Sequence, residues 1–168
     1  WSSDVCSSDL MDAIVVSVRG CNDSEYQEIS CAPFAAIRTV YAFIEYCLSI
    51  GKHIEVTYPL IPGANSSDFS IAEVANWVAS VSYTTPFHIL GYVPHNEKIR
   101  CAADRAALQH AYDAVEQKLR YVYYENVADT QHHTTYCDCG RALVTRDDVG
   151  LVFTTIRDGA CRFCGKPG

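Results

Sequence analysis

Hydrophobic and polar positions follow two different rhythms along this chain. Ala13-Ile14-Val15-Val16-Ser17-Val18 is a near-continuous β-branched run, the pattern of a strand covered on both faces. Gly20 to Ser30 is polar, a connector with room for one helical turn. Phe34, Ile37, Tyr41, Ile44 and Leu48 then recur at steps of three and four, which predicts a helix. Pro33 suits its first turn and Gly51 its end. His53 to Tyr58 reads as a second strand, and Ile61-Pro62-Gly63-Ala64-Asn65 as a turn. Ser70-Ile71-Ala72-Glu73 has the form of a capping box opening a helix with Ile71, Val74 and Val78 on one face. Pro86 to Gly91 reads as a third strand. Ala102 to Leu119 reads as the longest helix, striped by Ala107, Ala111, Val115 and Leu119, and Tyr121 to Tyr124 as a fourth strand.

The predicted order is β-α-β-α-β-α-β, which builds a parallel α/β sheet. Residues 11–128 would supply half of an eight-unit barrel, or part of an open sheet. The first strand looks buried on both sides, so preceding strands are expected outside this sequence. The character changes near Ala128. Residues 129–135 are polar and aperiodic, and residues 129–168 predict short strands and turns, a small β-rich segment.

Composition narrows the function classes. The 168 residues are 49% hydrophobic and 20% charged, enough apolar material for a core. The formal charge of −7 argues against nucleic acid as the main partner, since phosphate contacts need clustered Lys and Arg. No apolar run reaches the roughly 18 residues of a membrane span. Residues 1–10, WSSDVCSSDL, repeat Ser-Ser-Asp and lack the form of a signal peptide. They resemble translated sequencing adapter and are set aside as disordered. Setting them aside removes Cys6, Asp4 and Asp9 and takes the charge from −7 to −5. A cytoplasmic location is expected.

Nine cysteines are the unusual feature. Cys137-Asp138-Cys139-Gly140 and Cys161-Arg162-Phe163-Cys164-Gly165 are two tight pairs separated by 21 residues, with hairpin strands predicted around Asp147-Asp148-Val149-Gly150. That is the spacing of a ribbon-type metal site, with each pair on a knuckle that turns two thiolates toward one ion. Zinc at Cys137, Cys139, Cys161 and Cys164 is the expectation. The one-residue spacer of the first pair is tighter than usual, which leaves His132 or His133 open as a replacement ligand. An iron–sulfur role, a disulfide and unliganded thiols also stay open. Cys21, Cys31, Cys47 and Cys101 carry no motif and read as structural.

The order of motifs resembles the C-terminal half of radical S-adenosylmethionine (SAM) enzymes of the pyruvate formate-lyase-activating-enzyme type, nearest the radical SAM enzyme of the AmmeMemoRadiSam system. The resemblance rests on Met11-Asp12-Ala13 through Gly20, Ile54-Glu55-Val56-Thr57 through Asn65, and Thr85-Pro86-Phe87-His88. It continues with Leu119 to Tyr123, Asn126-Val127, Thr135-Tyr136-Cys137 and Asp158 to Gly165. It implies a partial (β/α) barrel followed by a zinc-ribbon-like segment. The parent activity it implies is reductive cleavage of SAM at a 4Fe-4S cluster to a 5′-deoxyadenosyl radical. Ser17, Arg19, Thr57 and His88 are the implied SAM-facing residues; Arg19 would meet the SAM carboxylate, and Thr57 and His88 its polar groups. Ser17 and Arg19 stand where the family has an acid and a lysine. The family's Cys-x-x-x-Cys-x-x-Cys cluster loop does not occur in these 168 residues, so no catalytic residue is assigned and this chain alone is expected to be inactive. Expected partners are an electron donor and a substrate that is left open, proteins included.

Two other readings compete. One is a non-catalytic α/β scaffold whose ribbon binds a protein or nucleic acid. The other is a hydrolase or aldolase, disfavoured because there is no nucleophile elbow, phosphate loop or suitably spaced carboxylate pair.

Overall fold

Strands with one apolar face need helices to cover it, and the chain supplies both in turn. A computed structural model describes residues 11–94, 102–147 and 149–167. Its first part runs β1 (Ala13–Ser17), α1 (Asp23–Ser30), α2 (Ile37–Ser49), β2 (His53–Leu60), α3 (Asp68–Val81), β3 (Phe87–Gly91), α4 (Arg105–Glu116) and β4 (Val122–Glu125). The four strands are parallel and lie in the order β1-β2-β3-β4. Ile54, Val56, Tyr58, Leu60, Phe87, Ile89, Val122 and Tyr124 form one face, buried in a single core with Ile44 and Cys47 of α2, Val74 and Val78 of α3, and Ala111 and Val115 of α4. The other face carries Ser17, His53, Glu55, Thr57, His88, Tyr123 and Glu125, all at least partly exposed. This alternation follows from the two-residue repeat of a strand.

The helix ends are set by side chains. Ser67 caps α3 by accepting the Ser70 N–H at 3.1 Å, so the helix starts before the predicted Ser70 box. Asp104 caps α4 by accepting the Ala107 N–H at 2.7 Å. That cap makes α4 shorter than the predicted Ala102–Leu119, and α3 is the longer helix. Asp23 accepts the Ile37 N–H at 2.8 Å, which starts α2 after Phe34 and leaves that ring 96% exposed instead of on the helix stripe. The polar Gly20–Ser30 connector holds a full eight-residue helix, Asp23–Ser30, capped by Asn22 and without a buried residue.

β1 stands at one end of the described sheet. It is an edge strand paired only with β2 among the described strands, and Val15 is 62% exposed on the polar face. Ile14 and Val16 pack on the core, and Val15 is open among the described residues.

The second part is β5 (Thr135–Tyr136), β6 (Ala142–Asp147), β7 (Gly150–Thr154), β8 (Ile156–Arg157) and β9 (Ala160–Cys161). β5-β6-β7 form one antiparallel sheet, and β8-β9 a two-residue-turn hairpin. The turn residues Asp158 and Gly159 both have positive φ, 51° and 75°, as the Asp-Gly pair of a type I′ turn requires. The core of this part is small: Cys137, Leu143 and Cys161, with Val144 and Ile156 against them. Cys101 and residues 1–10 lie outside the described residues.

Candidate functional site

The polar sheet face places three of the four predicted SAM-facing residues in one lateral row. Ser17 pairs with Thr57, Thr57 with His88, and His88 with Tyr123. Arg19 lies two residues beyond the end of β1. A buried clamp holds this corner. Asn65, fully buried, donates from Nδ2 to the carbonyls of Arg19 (3.0 Å) and Pro59 (2.8 Å) and accepts the Ile61 N–H at 2.8 Å. The Tyr58 hydroxyl donates to the Asn65 carbonyl at 2.7 Å. Glu25 fixes the same corner from α1, accepting the Cys21 N–H at 2.9 Å and the Ser70 hydroxyl at 2.5 Å.

His88 sits between two carboxylates. Its Nδ1 is 3.0 Å from Glu125 Oε1. Its Nε2 is 3.1 Å from Glu55 Oε2 but out of line for a hydrogen bond. Glu55 in turn meets His53 Nε2 at 3.1 Å. These groups open onto a cleft of about 920 Å³ between β3-β4 and the ribbon sheet, lined from one side by Glu55, His88, Tyr123 and Glu125 and from the other by Thr135 and Arg146. Of the four predicted residues only His88 lines the cleft; Ser17, Arg19 and Thr57 lie along the sheet beyond it.

The two walls of the cleft are tied together. Tyr123 Oη and Thr135 Oγ1 are 2.8 Å apart, and Arg146 Nη1 donates to Thr135 Oγ1 at 3.1 Å and to the His133 carbonyl at 3.3 Å. Burial pushes the Tyr123 hydroxyl above its ordinary pKa, opposed by the Thr135 hydrogen bond and the Arg146 charge.

At the far side of the ribbon the four cysteines converge, their sulfurs all within 4.8 Å of one another. Cys137 Sγ lies 3.5 Å from Cys164 Sγ, and Cys139 Sγ lies 3.9 Å from Cys161 Sγ. A tetrahedron with Zn–S bonds of about 2.3 Å has edges of about 3.8 Å. The thiols are unbonded to one another. Each knuckle closes on a glycine with positive φ, Gly140 at 79° and Gly165 at 75°. The Gly140 N–H bonds the Cys137 carbonyl at 2.9 Å, and the Gly165 N–H bonds the Cys161 carbonyl at 2.8 Å. The one-residue spacer thus gives a tighter turn without removing a ligand.

Electrostatics favour a cation at this point. Backbone N–H groups of Phe163 and Cys164 point at Cys161 and hold its thiol down at about 7. At Cys164 the Lys166 N–H pulls downward, but the crowding thiols win and push it up. Four sulfurs this close would repel one another as thiolates, a repulsion that a bound cation would offset. The spacer Asp138 is paired outside the cluster. Hydrogen bonding and charge from Lys166, with the charge of Arg120, hold its carboxyl below the usual range.

His132 and His133 are not in this cluster. The His132 ring stacks on Tyr124 at 4.3 Å, with Nδ1 3.0 Å from Asp129. Among the described residues the metal-competent group is the four cysteines alone. The sequence reading missed Glu25, Asn65, Glu125, Thr135 and Arg146. Asn65 ends the Ile61–Asn65 turn and Thr135 opens the Thr135-Tyr136-Cys137 motif, their local signals; Glu25, Glu125 and Arg146 meet Ser70, His88 and Thr135 across 45, 37 and 11 residues of chain.

No family model matches the chain. An uncharacterized protein of Methanocaldococcus jannaschii is 24% identical over 162 residues, covering 93% of this chain and 47% of that protein. The chain therefore spans about half the length of this relative. Among solved structures, a domain of pyruvate-formate lyase-activating enzyme from Bacteroides vulgatus aligns with a TM-score of 0.60 and 13% identity, over 71% of this chain and 70% of that one. The mixed α/β fold with its parallel four-stranded sheet is similar to that domain. Among the described residues no helix is long and apolar enough to cross a membrane.

Proposed function

We propose that this chain is the C-terminal part of a radical SAM enzyme of the pyruvate formate-lyase-activating type, a half β/α barrel with a zinc ribbon. The observation that carries the reading is the row Ser17-Thr57-His88 on the polar face of a sheet whose strands add in chain order. Ligands of such sheets lie at the C-terminal strand ends; Ser17 and Arg19 stand at that end of β1, Thr57 lies midway along β2, and His88 is the second residue of β3. SAM supplies a 5′-deoxyadenosyl radical for hydrogen abstraction in enzymes of this type. The residues present fit part of its site: Arg19 offers a cation for the carboxylate, Ser17 and Thr57 offer hydroxyls, and His88 offers an imidazole held by Glu125. They do not fit the iron–sulfur cluster, whose three-cysteine loop is not in this sequence, and no step is assigned through it. Cys137, Cys139, Cys161 and Cys164 are the zinc ligands in this reading, because their spacing suits one tetrahedral ion. An electron donor, an unidentified substrate and a cytoplasmic location complete it, as does the affinity with the AmmeMemoRadiSam enzymes.

The test is a SAM titration of the purified chain, followed by amide chemical shifts. Shifts centred on Ser17, Arg19, Thr57 and His88, and lost in Arg19→Ala, are expected. Saturating SAM with no shift at these positions contradicts the reading.

A binding module is the second reading, favoured by β7. Leu151 (65%), Val152 (54%) and Phe153 (47%) are exposed in succession on that edge strand. Full-length protein with an intact cluster that fails to cleave SAM favours this reading over the enzyme.

A further inference from the structure

We infer that Asp138, the spacer of the first knuckle, couples the four-cysteine centre to the cleft, so that metal occupancy holds the cleft wall in place. The inference rests on the reading of the cysteines as a metal centre. With one residue between two ligands, Asp138 has its backbone fixed on both sides when Cys137 and Cys139 are bound. Its carboxylate faces outward and accepts from Arg120 Nη2 at 2.5 Å and from Lys166 Nζ at 3.1 Å. Lys166 belongs to the second knuckle, so the bridge joins both knuckles.

Arg120 belongs to the α/β layer. Its N–H is anchored on the Tyr83 carbonyl at 3.1 Å, and its guanidinium lies 5.3 Å from the Tyr121 ring centre. Arg120 also donates to the Tyr136 carbonyl at 3.2 Å, one residue before the ligand Cys137. It stands two residues before β4, the strand that carries Tyr123 and Glu125 into the cleft. On the ribbon side, Thr135 of β5 is two residues from Cys137 and bonds the Tyr123 hydroxyl. Ligation therefore fixes Cys137, Asp138 and Tyr136 against Arg120, and β5 delivers that position to Thr135 and the cleft wall. Release of the metal frees the Asp138 backbone and weakens both of Arg120's ribbon contacts together.

Exchange of amide hydrogens over residues 121–136 reads this coupling, measured on the full chain with zinc content determined in parallel. The arms are zinc-loaded wild type, chelated wild type, and zinc-loaded Asp138→Asn and Arg120→Met. The wild type is expected to hold one zinc. Both substitutions are expected to speed exchange over 121–136 by about three- to tenfold; chelation, which also unfolds the ribbon, is expected to speed it further, with β2 and β3 unchanged in every arm. Variants that hold one zinc and exchange as slowly as wild type overturn the coupling while leaving the metal centre standing. A wild type that takes up no zinc overturns both. If Asp138→Asn loses zinc, Arg120→Met decides, because its side chain is outside the knuckles.

Discussion

The two parts of this chain solve the stability problem by opposite means. The α/β layer buries twenty residues in one apolar core, from Val18 to Tyr124. The ribbon buries Leu143 and two cysteines. The first part needs no ligand to be compact, since each buried Val, Leu, Ile or Phe contributes about 1.5–3 kcal/mol. The second has little apolar surface to remove from water, and a bound ion would supply the stability that its core lacks. The cleft lies where the two meet, with one wall carried by the α/β core and the other by the ribbon residues Thr135 and Arg146.

The widest gap between the two parts should open at the cysteines. Zinc binding of this kind supplies on the order of 10 kcal/mol. Cys161→Ala should therefore leave residues 135–166 without dispersed amide signals while the β1–β4 signals persist. Survival of ribbon dispersion in that variant would place its stability elsewhere. A core truncation should do the reverse. Phe87 is 1% exposed and its ring centre lies 6.1 Å from that of Tyr58. Phe87→Ala should lower the urea stability of the α/β layer by about 3–5 kcal/mol without changing zinc stoichiometry.

Asn65 sharpens the comparison inside the α/β layer. Asn65→Ala leaves the Ile61 N–H and the Arg19 and Pro59 carbonyls without that partner, a cost of about 1–3 kcal/mol in a urea titration. It should also loosen Arg19 and weaken any SAM-dependent shift there.

Asp129 gives a smaller, pH-dependent effect. Burial pushes its carboxyl up, but hydrogen bonds from His132 and the charges of His132 and Arg105 outweigh that and leave it below its ordinary value of 3.8. The Arg105 contact is 2.6 Å. Because the folded value is the lower one, its stabilisation is present above pH 3.8 and is lost as pH falls through the folded value. Urea midpoints between pH 5 and pH 2.5 should fall less steeply in Asp129→Asn. The smallest effect belongs to β7: Leu151→Lys should change stability by no more than about 0.5 kcal/mol.

The same contrast explains what the sequence disclosed. Alternation of β-branched runs with three- and four-residue stripes placed β1 to β4 and α2 to α4, because burial enforces both periods. Two cysteine pairs with following glycines disclosed the four-sulfur cluster, because ligation demands short spacing. α1 was reduced to a single turn because DSEYQEIS has no apolar stripe; caps and the Glu25–Ser70 bond hold it instead. The start of α3 shifted because Ser67 and Ser70 both suit a cap. The exposure of Val15 was illegible, since it depends on strand neighbours that its own sequence does not name. The cleft was illegible for a related reason. Glu55, His88, Glu125, Thr135 and Arg146 meet only after three parallel strands and a hairpin are in register.

Chelation of the zinc-loaded chain, followed by amide spectra of both parts at once, tests the central contrast most directly. One zinc per chain should be released. The signals of residues 135–166 should collapse to unfolded positions, while those of β1 to β3 keep their shifts and those around Arg120 and Tyr123 move. A ribbon that keeps its native signals with no metal bound would contradict the account.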